Sequence, residues 1–307
     1  MGSRGDLTDG QWERLRPLLP VSNGRCGRWR DHRQVIDGIL YRARTGVPWR
    51  DLPERYGSWK TVHERHRRWS ADGTWERLLQ RVQAEADAVG GIDWDISVDS
   101  TSIRAHHHAA GARHAPPVLK GGAARTVGNA QVWTELFNCL AGVVRSEALG
   151  RSRGGHTTKI HLSAEGCCRV LSLIITPGQR ADCTQFEPVM DKIRVPRLTV
   201  GRPRTTPGSV SADKAYSNRR TRRYLRRRAI PHVIPEKADQ AANRRKRGSA
   251  GGRPPGFDKE RYKKRNVVER AINKLKNFRA VATRYDKRVY VFLGTVTVAA
   301  LAIWLRS

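Results

Sequence analysis

The sequence lacks the cysteine patterns of a disulfide framework or a zinc finger. Its 307 residues contain no CxxC pair and no histidines at zinc-finger spacing from a cysteine. The N-terminus also lacks the apolar stretch of a secretory signal peptide. An odd number of cysteines in such a chain favours reduced thiols in the cytoplasm. The five are Cys26, Cys139, Cys167, Cys168 and Cys183.

Acidic residues are scarce. The chain has 28 Asp and Glu against 59 Lys and Arg, which gives a formal net charge of +31. Positive charges on this scale repel one another unless a polyanion binds them, so nucleic acid is the expected partner. An anionic membrane surface is the alternative, but the sequence shows no lipidation motif and no basic anchor helix.

One long segment lacks charge altogether. Residues 289–305, VYVFLGTVTVAALAIWL, number seventeen, whereas about 20 apolar residues are needed to cross a bilayer. The segment is rich in β-branched residues and contains Gly294. We therefore interpret it as a buried strand or a core helix and expect no membrane span.

The first 90 residues predict an all-helical module. Thr8 and Gln11 have capping-box spacing before an apolar helical stripe, residues 32–45 form a second amphipathic helix, and two further capped helices follow. The outer face of the third helix is expected to be basic, with Lys60, Arg65, Arg67 and Arg68. Short helices with tight turns and a basic face are typical of a helix-turn-helix-like DNA-binding domain; a plain helical bundle with solvated charges is the alternative.

In the second region, residues 91–307, the spacing of apolar residues changes from a helical to a strand-like period. Apolar residues alternate along 92–98, and residues 157–178 predict a hairpin that turns at Glu165–Gly166. Further strands and helices alternate towards the C-terminus, which predicts an α/β fold with a mixed sheet flanked by helices. A poorly patterned insert at about 105–155 gives no structural prediction.

Three carboxylates stand out by position. Asp99 and Asp213 are predicted to close two strands, and Glu269 lies on a helix rich in Lys and Arg. Neighbouring strand ends can bring two aspartates together, and a packed helix can add the third acid. Hard oxygen ligands of this kind suit Mg²⁺, and a pair of such ions supports phosphoryl transfer. Taken singly, each Asp is more simply a cap or turn former, so the prediction depends on the constellation.

The single acid in residues 261–278 belongs to a regularly spaced set of residues. This segment, predicted as one helix, contains seven Lys or Arg and the single acid Glu269. A stray i,i+4 salt bridge is the simple explanation for that acid. However, Tyr262, Arg265, Glu269 and Lys276 follow one another at steps of 3, 4 and 7 residues, which places them on one helical face. Arg265 and Lys276 are therefore candidates to hold phosphates near Glu269.

This spacing resembles the Y-R-E-K signature of bacterial insertion-sequence transposases with a DDE triad. The blocks VDSTSIRAH, GRSRGGHTTKIHL and ADKAYSN resemble, in order, those of the insertion-sequence-five branch, and LTDGQWERLRPLLP resembles its leader domain. The resemblance implies an RNase H-like catalytic core in which Asp99, Asp213 and Glu269 hold two Mg²⁺ or Mn²⁺ ions. It also implies that Arg265 and Lys276 contact the DNA of the element's ends.

The resemblance further implies a DNA transposase of the bacterial cytoplasm and nucleoid. Such a protein binds the terminal inverted repeats of its element as a homodimer in the synaptic complex, cuts the DNA and joins the freed end to target DNA. Two alternatives stay open. One is a catalytically degenerate DNA-binding protein or repressor, and the other is an RNase H-like nuclease without strand transfer.

Two other features carry candidate residues. The basic run RRTRRYLRRR and the lysine before it are predicted to follow DNA phosphates, although a solvated face is the usual explanation for charge runs; the candidates are Lys214, Arg219 and Arg220. Three consecutive histidines, His106–His108, invite a metal-site interpretation. Because successive residues on a strand or helix point in different directions, we do not expect them to bind metal together.

Overall fold

The N-terminal region is helical, as predicted. The computed structural model describes residues 5–21, 29–112, 147–152 and 154–307. In the N-terminal region the helices are α1 (Asp9–Leu15), α2 (His32–Thr45), α3 (Trp59–Ala71) and α4 (Thr74–Ala88). The capping box of α1 is confirmed, because Thr8 Oγ1 accepts from the Gln11 amide and Gln11 Oε1 accepts from the Thr8 amide.

Two details of this module differ from the sequence-based expectation. Thr74 is the first residue of α4 rather than its cap, because Gly73 takes the left-handed conformation (φ +72°) that begins the helix. Arg65 does not lie on the basic outer face. It is buried and its guanidinium packs over the rings of Trp29 and Trp69. A helix-turn-helix-like role in DNA binding stays a prediction.

The second region contains a mixed sheet with helices packed against it. Its strand order is β2-β3-β1-β5-β6, with β4 paired to β3 and β7 paired to β1. β3 runs antiparallel to β1, β2 and β4, whereas β5 and β7 run parallel to β1. The strands are β1 (Asp95–Ala105), β2 (Gly150–Ser152), β3 (Gly155–Glu165), β4 (Arg169–Pro177), β5 (Ser209–Ala212), β6 (His232–Val233) and β7 (Thr283–Arg284).

The helices of this region connect the strands and cover the sheet. The hairpin predicted at Glu165–Gly166 is confirmed as the β3–β4 turn, in which Cys168 has φ +62°. The predicted insert is described only at its margins, residues 105–112, 147–152 and 154–155. The helices are α5 (His107–Ala110), α6 (Phe186–Asp191), α7 (Arg219–Arg227), α8 (Ala238–Lys246), α9 (Lys259–Lys263), α10 (Asn266–Lys276), α11 (Arg279–Ala282) and α12 (Val289–Leu305).

The uncharged segment 289–305 forms the buried helix α12. Almost all of its residues are buried, because it packs against α2, α3 and α4 on one side and β4 on another. Trp304 Nε1 donates to the Val170 carbonyl at 2.7 Å, which fixes the helix to the sheet. Among the helices described, none is long and apolar enough to cross a membrane. The proposed division into 1–90 and 91–307 stays a prediction, since both regions contribute to one core.

A buried polar cluster joins α2 and α3 to the C-terminal region. Asp286 accepts from Arg42 Nη2 at 3.1 Å and from Thr295 Oγ1 at 2.9 Å. His66 Nε2 lies 3.2 Å from the same threonine hydroxyl. Burial alone would raise the pKa of Asp286, but Arg42 and its other partners outweigh burial and lower it. A charged Asp286–Arg42 pair therefore lies inside the apolar core.

Candidate active site

The parallel pairing of β1 with β5 places Asp99 beside Asp213. The paired residues run from Asp95 opposite Ser209 to Val98 opposite Ala212. Asp99 and Asp213 are the next residues along these two segments. Asp213 then caps the 3₁₀ turn Lys214–Tyr216 by accepting from the Lys214 amide at 2.6 Å. Sequence and topology thus bring two carboxylates to one point of the sheet.

Asp99 does not close its strand, contrary to the prediction. β1 continues to Ala105, because β3 pairs with it from Ser97 to Arg104. On the other edge of β1, β5 departs after Val98 and β7 joins at Arg104. Asp99 therefore lies inside a strand, at the start of the opening between these two partners.

Helix α10 brings Glu269 to the same region. Its apolar face is buried and packs over β1 and β3; the residues are Val268, Ala271, Ile272 and Leu275. Glu269 lies in the first turn of α10, where the helix dipole favours a negative charge. Its side chain is 49% exposed, whereas that of Asp99 is 24% exposed.

Arg265 joins two of the three acids. Its Nη1 donates to Asp99 Oδ2 at 2.9 Å and its Nη2 donates to Glu269 Oε1. The guanidinium also lies 5.9 Å from the ring centroid of Tyr262. The i,i+4 salt bridge considered as the simple explanation of Glu269 is thus present, and it includes Asp99 as a third member.

The segment 261–278 is not the single helix that its periodicity predicts. α9 ends at Lys263 and α10 begins at Asn266, with hydrogen bonds of the i→i−3 type between them, among them Arg265 N to Tyr262 O at 2.9 Å. Such a turn has three residues per turn rather than 3.6. Tyr262 and Glu269 therefore belong to different helices, and Arg265 lies at their junction.

Burial and neighbouring charges set the ionisation of this site. Burial raises the pKa of Asp99, and the nearby charge of Asp213 raises it further. The Ser100 amide and Arg265 oppose this rise. Burial by itself lowers the pKa of Arg265, but Asp99 and Glu269 outweigh it and the pKa is raised. The guanidinium therefore stays charged and balances part of the negative charge.

The donor atoms at this site suit a hard divalent cation. The three side chains offer carboxylate oxygens alone, which Mg²⁺ and Mn²⁺ prefer. The buried hydroxyl of Tyr216 lies near Asp99, Asp182 and the side chain of Ser100. Burial and the nearby Asp99 and Asp182 raise the pKa of Tyr216. Arg265 stands between Asp99 and Glu269, because it donates to both.

A polar group beside Asp99 was missed by sequence reasoning. Ser100 Oγ donates to Asp182 Oδ1 at 2.7 Å, and Lys159 Nζ lies 3.0 Å from the same oxygen. His161 is the cross-strand neighbour of Ser100 and lies 3.7 Å from Asp182. The β1–β3 register and the loop after β4 create this group, and neither can be obtained from local sequence patterns.

His161 makes the stability of the fold sensitive to acid. It is 1% exposed, and burial lowers its pKa to about 4, whereas a histidine in an unfolded chain titrates near 6.5. Between these values the unfolded state binds a proton that the folded state does not. The free energy of unfolding therefore falls as the pH is lowered from about 6.5 to 4, by up to about 1.4 kcal/mol per pH unit for this site.

Urea denaturation at a series of pH values from 7.5 to 4.5 measures this dependence. We expect His161→Gln to flatten the slope, whatever its effect on stability at pH 7.5. His66, whose pKa burial lowers to about 3, contributes in the same direction. His107→Gln is the control, because His107 is exposed. Equal slopes for His161→Gln and the unmodified protein would contradict the prediction.

The candidate DNA-binding residues surround the acids at different distances. Lys214 follows Asp213 directly and is exposed, and Arg219 is exposed at the start of α7. Arg220 is exposed too but pairs with Glu187 at 2.7 Å. Lys276 ends α10, seven residues from Glu269, which is about 10 Å along a helix. Contact of these residues with DNA stays a prediction.

The three consecutive histidines converge, contrary to the geometric expectation. One ring nitrogen from each of His106, His107 and His108 lies within 4.8 Å of the others, since β1 ends and α5 begins at this point. Local structure accounts for the arrangement. His106 caps α5, because its Nδ1 accepts from the His108 amide, and its ring packs against Tyr285.

The chain matches two family models. Residues 7–79 match a family described as putative transposase of the IS4/5 family, and residues 91–305 match the transposase DDE domain. The second match alone covers well over half of the chain. The chain belongs to the DDE transposases of insertion sequences, in the IS4/5 family. An RNase H-like fold is what this domain implies, and the mixed sheet with flanking helices agrees with it.

Several curated proteins are similar in sequence. Uncharacterized protein y4sN of Sinorhizobium fredii is 43% identical over 117 residues, which are 38% of this chain and 86% of that protein. A putative transposase for insertion sequence element IS6501 of Brucella ovis is 29% identical over 154 residues, 49% of this chain and 99% of that protein. A putative transposase for element IS402 of Burkholderia cepacia is 34% identical over 138 residues, which are 45% of this chain and 57% of that protein. No solved structure matches the chain.

Proposed function

We propose that the chain binds the terminal inverted repeats of an insertion sequence and catalyses both DNA cleavage and strand transfer. The observation that carries this proposal is the convergence of Asp99, Asp213 and Glu269 from two parallel strands and one helix. The family membership and the net charge of +31 support DNA as the substrate. We further propose that the protein acts in the bacterial cytoplasm and nucleoid.

The three carboxylates are the residues that would hold divalent metal. Asp99 and Asp213 offer oxygens from adjacent strands, and Glu269 can reach them from α10. When bound, Mg²⁺ or Mn²⁺ would supply charge stabilisation for phosphoryl transfer, with two ions giving a clamp on the entering and leaving oxygens. The buried hydroxyl of Tyr216 lies near Asp99, where it would help to orient a water molecule or a phosphate oxygen.

The cationic side chains would place the DNA backbone across the acids. Arg265 has a planar fork that fits a phosphate with two hydrogen bonds. The ring of Tyr262 lies next to it, and Lys214 directly follows Asp213 in the chain. Lys276, Arg219 and Arg220 would extend the track of phosphate contacts to either side. Contacts of this type fix position on DNA without reading its sequence.

Labelled duplexes that carry the ends of the element test the proposal. With purified protein and Mg²⁺, we expect end binding, nicking at the element's end and a product joined to target DNA. Sizing by native gel with and without paired ends tests whether a homodimer forms the complex. Binding without nicking would favour a degenerate DNA-binding protein, and nicking without joined product would favour a nuclease.

A further inference from the structure

Arg265 holds the first and third acids of the proposed centre with one side chain. The same guanidinium donates to Asp99 Oδ2 on β1 and to Glu269 Oε1 on α10. The Arg265 side chain is 16% exposed; its bond to Asp99 is partly buried, whereas its bond to Glu269 is exposed. Arg265 is therefore the cation that balances the acids when no other cation is present.

A guanidinium and a divalent ion compete for this position. Both need the facing oxygens of Asp99 and Glu269, and two cations on the same oxygens repel each other. A hard divalent ion takes its ligands at 2.0–2.6 Å, depending on the metal, so an ion held by Asp99 and Glu269 would need the space that the guanidinium fills between them. Arg265 must leave before the acids can close around a metal.

A DNA phosphate offers Arg265 an alternative partner of the right shape. The fork that holds two carboxylates can hold two oxygens of one phosphate. Arg265 lies at the i→i−3 junction between α9 and α10 and its side chain is partly exposed, so rotation about its side-chain bonds can bring the guanidinium to a phosphate at the surface. Lys264, which is exposed nearby, adds positive charge that attracts the DNA backbone.

We propose that Arg265 is a positioning residue that occupies the metal position in the DNA-free protein and yields it when DNA binds. This inference rests on the proposed function of the three acids. DNA binding and metal binding then favour each other, because each removes the same Arg265 bridge. By linkage, DNA raises the metal affinity by the same factor by which metal raises the DNA affinity.

Mn²⁺ binding measures this coupling without reference to activity. The free Mn²⁺ signal in electron paramagnetic resonance is followed during titration of the full-length protein, with and without an uncleavable duplex of the element's end. For the unmodified protein we expect DNA to raise the Mn²⁺ affinity roughly tenfold or more. For Arg265→Gln without DNA, we expect an Mn²⁺ affinity higher than that of the DNA-free unmodified protein by a similar factor. Adding DNA to this variant should raise its Mn²⁺ affinity by less than about threefold.

Arg270→Gln is the matched control for loss of one positive charge. Arg270 is exposed on α10, one residue after Glu269, so we expect its DNA-free Mn²⁺ affinity to stay within about twofold of the unmodified protein. Equal Mn²⁺ affinities for Arg265→Gln and Arg270→Gln would overturn the inference. If circular dichroism shows that Arg265→Gln is unfolded, Arg265→Lys replaces it. Lysine keeps the charge but cannot bridge two carboxylates with a planar fork, so we expect it to bind Mn²⁺ more tightly than the unmodified protein without DNA.

Glu269→Gln separates failure of this inference from failure of the proposed function. If Glu269→Gln loses Mn²⁺ affinity while Arg265→Gln behaves like Arg270→Gln, the metal centre stands and the coupling through Arg265 is wrong. If Glu269→Gln binds Mn²⁺ as tightly as the unmodified protein, the acids do not form the centre and both proposals fail.

Discussion

Glu269→Gln is expected to abolish DNA cleavage while DNA binding persists. The substitution keeps the size of the side chain and removes the charge that would hold divalent metal beside Asp99. Loss of several kcal/mol of charge stabilisation in the transition state slows the reaction by roughly a thousandfold or more. Binding to the element's ends should change little, because the proposed phosphate contacts come from cationic side chains and not from Glu269.

Single-turnover cleavage of a labelled end duplex, together with a binding titration at fixed salt, measures both quantities. Glu260→Gln is the matched control, because Glu260 is an exposed acid of α9 that pairs with Lys263 at 2.8 Å. It makes the same chemical change outside the site, and its cleavage rate should stay near that of the unmodified protein. A Glu269→Gln protein that cleaves at the unmodified rate would remove Glu269 from the proposed centre.

Among the substitutions proposed for this protein, Asp286→Ala is expected to lower the free energy of unfolding the most. The substitution leaves Arg42, whose side chain is 4% exposed, as a buried charge without its carboxylate. Breaking a buried pair by removing one partner costs about 3–5 kcal/mol. The hydroxyl of Thr295 also loses its acceptor on Asp286, which adds to the cost.

Urea denaturation at pH 7.5 gives the change in the free energy of unfolding. Glu260→Gln again serves as the control, since an exposed ion pair contributes about 0–1 kcal/mol. The double replacement Arg42→Met with Asp286→Leu should lose less than Asp286→Ala, because no buried charge is left unpaired. If Asp286→Ala costs no more than Glu260→Gln, the pair does not stabilise the fold.

Local patterns were predictable from the sequence where a few neighbouring residues determine the structure. The capping box at Thr8, the extent of α2 over residues 32–45 and the hairpin turn after Glu165 are of this kind. Asp213 and Glu269 could be chosen as candidates because a strand end and a helix face are readable from periodicity, whereas Asp99 was chosen as a strand end although it lies inside β1. Their roles as catalytic residues stay predictions that the experiments above address.

Features that depend on distant pairing were not predictable. β1 extends beyond Asp99 because β3, more than fifty residues later, continues to pair with it. The break between α9 and α10 leaves no Gly or Pro signal, since Lys264 and Arg265 are ordinary helix formers. The Arg265 bridge depends on where α10 packs over β1. Sequence periodicity placed Arg265 and Glu269 on one face but gave no information about Asp99 as the third partner.

The burial of α12 against α2, α3 and α4 has a consequence for synthesis of the protein on the ribosome. Ala88 ends α4 and Val289 begins α12, so about 200 residues are translated between them. At roughly 5–20 residues per second this takes about 10–40 s. During that interval the N-terminal helices lack one wall of their core and expose apolar surface. We therefore expect nascent chains that stop before Val289 to depend on chaperones for solubility.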